Sequence, residues 1–142
     1  MEYRQFNQHP KGKKIGDCVV RAISTAENKK WIDVYKSLCE IGGELLEMPN
    51  SKKVYETYLE RNGWKKFPMP KLWGKRIRLM DFLIDDTVIV SVAKHLTVCE
   101  DNTVIDTWDC RNKCLGNYYL KPKHLCRCPK GYHDMFEKCR EY

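Results

Sequence analysis

The strongest constraint on the fold is a change of hydrophobic period part-way along the chain. Up to about residue 63 the apolar residues recur at helical spacing. Val19, Val20, Ala22 and Ile23 form one segment, opened by Gly16-Asp17 with Asp17 suited to an N-cap. In Trp31 to Leu46, Ile32, Tyr35, Cys39 and Gly42 recur, with Val34, Leu38, Ile41 and Leu45 widening the face. A third helix, capped by Asn50 or Ser51, carries Val54, Tyr55, Tyr58 and Leu59, and Asn62-Gly63 ends it. From Thr87 onward the pattern becomes that of strands. Thr87–Ala93, His95–Glu100, Thr103–Trp108 and Asn117–Leu120 are rich in Val, Ile, Thr and Tyr. Helices first and an antiparallel sheet second predict an α+β layout.

The connecting regions are less regular. Met1 to Ile15 reads as an N-terminal arm broken by Pro10 and Gly12. Trp64 to Trp73, with Pro68 and Pro70, reads as a loop or edge segment, and Leu79 to Ile84 as a short helix. The 142 residues suit one domain spanning 1–142, with residues 110–142 as a cysteine-rich tail. The longest apolar run, Val88 to Ala93, is too short to span a bilayer. No apolar leader follows Met1, so the expected compartment is the cytoplasm, or a host's cytoplasm for a phage-encoded chain. The net charge of +7 is scattered, with denser spots at Lys11–Lys14 and Lys71–Arg78. No nucleic-acid-binding motif accompanies it, and a solvated surface is the expected reading.

One cysteine stands where chemistry favours it. Cys18 falls in the first turn of a helix, where the dipole and free N–H groups stabilise a thiolate. Of the four histidines, His9 lies in the arm and His124 and His133 in the tail. His95 opens a strand, where its ring can be held in one orientation. If Asp101-Asn102 is a two-residue turn, residue 95 pairs with 108. Asp106 then lies diagonal to His95, roughly 7–8 Å away along the backbone, and can orient it. A three-residue turn would reverse that parity, and Asp109 is the fallback. The Cys18 N–H and a side-chain amide from the arm, Asn7 or Gln8, are candidate oxyanion donors, with Gln5 more remote.

These motifs carry a resemblance. Gly16-Asp17-Cys18-Val19-Val20-Arg21-Ala22-Ile23 resembles the nucleophile helix of small papain-like cysteine peptidases, the broad group with C39-like and NlpC-type members. His95-Leu96-Thr97-Val98, followed by Val104-Ile105-Asp106-Thr107-Trp108-Asp109, resembles their His strand and the strand after it. Asn7-x-x-Pro10 ahead of Cys18 is similar to phage and bacterial members. The resemblance covers about Asn7 to Leu120 and implies a papain-like fold and a Cys-His-Asp triad. It also implies a thioester intermediate, a peptide or protein substrate and no cofactor. Two positions depart from it. Gly12 stands where papain has its Gln, and Thr107 where C39-like members have Pro.

Other readings of the same residues remain. Arg21 is expected to pair with a carboxylate for structure, and Trp108 and Tyr118 are core or cleft residues. The chain could be a non-catalytic papain-fold module that binds a host component. The tail set of Cys110, Cys114, Cys126, Cys128, Cys139, His124 and His133 could instead hold zinc in a nucleic-acid binder, form disulfides, or stay as free thiols.

Overall fold

The computed structural model describes residues 1–121. The tail residues His124, Cys126, Cys128, His133 and Cys139 therefore lie outside the described residues. Three helices precede most of the strands: α1 (Cys18–Glu27), α2 (Trp31–Leu45) and α3 (Lys52–Arg61). The strands are β1 (Glu2–Gln5), β2 (Lys65–Phe67), β3 (Lys71–Leu72), β4 (Lys75–Arg76), β5 (Val88–Val92), β6 (His95–Glu100), β7 (Thr103–Asp106) and β8 (Leu115–Leu120). Six of them form one sheet in the order β1-β7-β6-β5-β8-β2, while β3 and β4 pair as a separate hairpin. The fold is α+β, as the change of period predicts.

Four expectations need correction. The sheet is mixed rather than antiparallel, because β1 runs parallel to β7 with Gln5 opposite Asp106. Residues 2–5 are therefore a strand rather than irregular arm. Glu-Tyr-Arg-Gln offers only Tyr3 as an apolar residue, too short a pattern to signal a strand. Its partner β7, adjacent in the sheet and about a hundred residues on in the chain, supplies the ordering. In α2 the inward residues are Val34, Leu38, Ile41 and Gly42, whereas Ile32, Tyr35 and Leu45 are exposed. The expected helix at Leu79–Ile84 is a single 3-10 turn over Leu79–Asp81.

The sheet is covered on both faces. On one side Val19, Val20 and Ile23 of α1 pack with Leu38, Val54 and Leu59 against Ile89, Val98, Ile105 and Tyr119. On the other, Leu79 and Phe82 cover Val88, Val90, Val92, Cys99, Val104 and Leu115. A strand sandwiched this way must be apolar on both sides, which explains the run of Val-Ile-Val in β5. Ser51 caps α3 by accepting from the Val54 N–H, and Gly63 exits it at φ +87°.

One buried acid fastens the far end of α1. Glu27 has a side chain 2% exposed and accepts from the Tyr58 hydroxyl at 2.7 Å and the Trp64 indole N–H at 2.8 Å. Lys29 pairs with it at 3.2 Å. Burial alone would raise the Glu27 pKa, but these donors reverse that and hold it below the ordinary range. Removing the carboxylate orphans two buried donors, each costing about 1–3 kcal/mol. Urea denaturation of Glu27→Ala is thus expected to show a loss of about 3 kcal/mol. A loss under about 0.5 kcal/mol, the range of ordinary surface changes, would contradict the network.

Candidate active site

The site lies where the start of α1 meets the ends of β6 and β7. The hairpin joining those strands fixes its register. Asp101 and Asn102 take φ +49° and +62°, the two-residue turn with both central residues left-handed, which Asn and Asp tolerate. The ladder then runs Glu100–Thr103, Cys99–Val104 and Val98–Ile105. Continued outward, it sets Asp106 diagonal to His95, the parity expected from the sequence. The consequence is direct: His95 Nε2 lies 2.6 Å from Asp106 Oδ2. The Trp108 ring tilts over the imidazole, with centroids 4.9 Å apart. The other hairpin, joining β5 to β6, also bends through two left-handed residues, Ala93 and Lys94, immediately before His95.

With Nε2 held by Asp106, Nδ1 is left for the thiol. Cys18 and His95 interact electrostatically, and the Leu96 backbone also favours the ionised sulfur. Cys18, His95 and Asp106 are therefore electrostatically linked. Asp106 is 3% exposed, and its second oxygen accepts from the Thr107 N–H at 2.6 Å and from Arg21 Nη1 at 3.0 Å.

No protein-family model, curated protein or solved structure matches this chain. The chemistry must be read from the geometry. Burial pushes the Cys18 thiol up, but the polar influence of His95 and the Leu96 backbone and the charges of His95 and Arg21 outweigh it. The net shift is downward. For His95, burial disfavours the charged ring, yet the interactions with Asp106 and Cys18 dominate and raise its pKa to about 9. Asp106 is held below the ordinary carboxylate range. Burial acts against this, and the bond to His95 outweighs it, helped by the nearby Thr97 hydroxyl, which lies outside ordinary hydrogen-bond geometry. These shifts reinforce one another and favour a thiolate–imidazolium pair.

The other sequence candidates fare differently. Asp17 sits at the N-cap position but makes no capping bond. Its carboxylate turns to Arg21 Nε and to the Trp31 indole N–H, both at 2.9 Å. Asp109, the fallback orienter, forms a two-pronged pair with Arg111 instead. Asn7 is occupied within the arm, donating to the Lys13 carbonyl and accepting from the His9 N–H. Gln8 lines the same small space as Cys18, Arg21, Leu96 and Asp106. Cys110 is fully buried, with its sulfur 4.0 Å from Asp106 Oδ2, while Cys114 is exposed. Among the described residues, His95, Asp106 and Cys110 also form a cluster of metal-ligating types. Arg21 points a cation at that carboxylate, and burial pushes the Cys110 thiol up to about 12. Both oppose a bound cation. Trp108 borders the site and Tyr118 does not: it stacks on Phe67.

Sequence reasoning missed how Arg21 and Trp31 connect to the site. The spacing of Asp17 and Arg21, four apart on a helix start, was the available signal.

Burial also pushes Cys99 up to about 12. Brief treatment of the native protein with iodoacetamide at pH 6 is therefore expected to modify Cys18 ahead of Cys99 and Cys110, mapped by peptide mass spectrometry. His95→Ala removes the largest stabiliser of the thiolate and should slow Cys18 at least about tenfold, the equivalent of one pKa unit. Equal labelling of all three, or no effect of His95→Ala, would contradict the pairing.

Proposed function

We propose that this chain is a papain-like cysteine hydrolase acting on amide-type carbonyl substrates, a peptide or isopeptide bond in a protein being the class the resemblance implies. The observation that carries this reading is the 2.6 Å pair of His95 with Asp106 beside Cys18, with the thiol lowered and the imidazole raised. In the proposed mechanism the Cys18 thiolate attacks the carbonyl carbon and its π electrons move to oxygen. The imidazolium of His95 gives its proton to the leaving amine as the C–N bond breaks, producing a thioester and neutral His95. The imidazole then takes a proton from water, whose oxygen attacks the thioester. Collapse expels the thiolate, releases the acid and restores the pair.

Asp106 acts on the ring rather than the substrate. Its carboxylate fixes Nε2, so that Nδ1 faces the sulfur, and it stabilises the imidazolium. The oxyanion falls near the start of α1. The Cys18 backbone N–H is a first-turn donor with no intrahelical acceptor. The Asp17 side chain leaves it uncapped. Gln8 supplies the second donor in this proposal, since Asn7 is held within the arm. Parallel pairing of β1 with β7 brings this stretch of arm to the site, as Phe6 N–H continues the ladder onto the Asp106 carbonyl at 2.9 Å.

A peptide-based Michael acceptor, such as a peptidyl vinyl sulfone, is expected to add one equivalent to Cys18 as a thioether in the full chain and none in Cys18→Ala. For any amide substrate found with such probes, the proton on His95 is needed to expel the amine. Its folded pKa is raised, so activity persists through neutral pH and falls as pH rises through about 9. Asp106→Asn removes the partner that raises it, and the alkaline limb should move down. A probe that spares Cys18, or a limb unmoved in Asp106→Asn, would overturn the proposal.

A further inference from the structure

Arg21 is a longer-range connector than a structural ion pair requires. Its guanidinium spans two carboxylates from separate parts of the chain. Nε donates to Asp17 Oδ1 at 2.9 Å, and Nη1 donates to Asp106 Oδ1 at 3.0 Å, with Thr107 Oγ1 at 3.4 Å. All three groups lie below the surface, with side chains 13%, 5% and 2% exposed for Arg21, Asp17 and Asp106. Asp17 is held from its other oxygen by the Trp31 indole N–H. The Asp106 carboxylate is thus divided, Oδ1 to Arg21 and Oδ2 to His95, and cannot rotate without breaking one of the two.

From this geometry we infer that Arg21 is a positioning residue: it fixes the plane of the Asp106 carboxylate, and through it the orientation of His95 toward Cys18. The inference rests on the hydrolase reading for its consequence, but the positioning itself is independent of catalysis. Arg21 is one turn after Cys18 on the same helix, so the clamp ties the nucleophile's helix to the strand that carries the orienter. A planar fork can serve both carboxylates at once, whereas a lysine ammonium is a point charge on a flexible stem. Charge matters as well as shape. Asp17 and Asp106 are two buried anions, and Arg21 and the protonated His95 are the cations that face them. Cys18 adds an anion when ionised, and Cys110 faces Asp106 as a neutral thiol. Without Arg21, Asp106 would keep His95 as its side-chain cation, and Asp17 would keep only the Trp31 indole N–H.

The test compares full-length wild type, Arg21→Gln, Arg21→Lys and Glu27→Gln. Glu27 sits at the other end of α1 and controls for lost stability. The first readout is the proton on His95 Nε2, which a 2.6 Å charge-assisted bond should shift far downfield in the NMR spectrum. The second is the iodoacetamide rate at Cys18 at pH 6. The expected result is that both Arg21 variants lose the downfield proton to exchange and Glu27→Gln keeps it. Arg21→Gln should also slow Cys18 by at least roughly threefold, since a cation near the sulfur is gone. Arg21→Lys keeps the charge and serves if Arg21→Gln fails to fold. A folded Arg21→Lys with the proton and the labelling rate of wild type would overturn the inference, as would equal loss of the proton in Glu27→Gln. If wild-type Cys18 labels no faster than the exposed Cys114, the hydrolase reading fails, while the proton resonance still decides the clamp.

Discussion

Two carboxylates are buried at one end of this sheet, and the site depends on what neutralises them. A buried anion without a partner is costly enough that it would take up a proton instead. Asp106 avoids this through His95 and Arg21, and Arg21 also pairs with Asp17. The protonated imidazole is therefore part of the fold's charge balance before any substrate arrives. Once His95 carries its proton, the neighbouring thiol is pulled toward thiolate. The reactivity proposed for Cys18 is in this sense a consequence of how Asp106 is buried.

The packing around these groups serves the same end. Helix α1 lies on the sheet through Val19, Val20 and Ile23, and this seats its first turn against the start of β6. Both hairpins flanking β6 use two left-handed residues, which keeps the loops short and the strand register fixed. Asp101-Asn102 suits such a turn. Ala93-Lys94 does not, because a side chain with a Cβ pays a steric cost there. Strain of this kind, directly before His95, fits a position selected for where it aims the next residue.

Much of this was legible in the sequence for physical reasons. The period change gave α+β because side chains on helices and strands repeat differently. The Asp-Asn turn gave register because two-residue hairpins have few solutions, and register gave Asp106. What escaped detection depends on partners far apart in the chain. β1 has no pattern of its own and is ordered by β7. Arg21 reads as a partner for some carboxylate, and nothing local shows that it joins Asp17 to Asp106. Asp17 reads as an N-cap, but a buried indole and guanidinium compete for it more strongly than the helix N–H groups do. The outward face of α2 was also misjudged, because an apolar stripe wider than the buried one leaves its centre undetermined.

The central claim is that Cys18 and His95 share a proton as an ion pair. It is tested most directly by following the His95 ring by NMR across pH in wild type and in Cys18→Ser. Serine keeps the shape and a hydrogen-bonding group but removes the ionised sulfur. In wild type the imidazolium should persist to about pH 9. In Cys18→Ser, with Asp106 alone still supporting the charge, the midpoint should fall by about one unit. The same midpoint in both proteins would contradict the account.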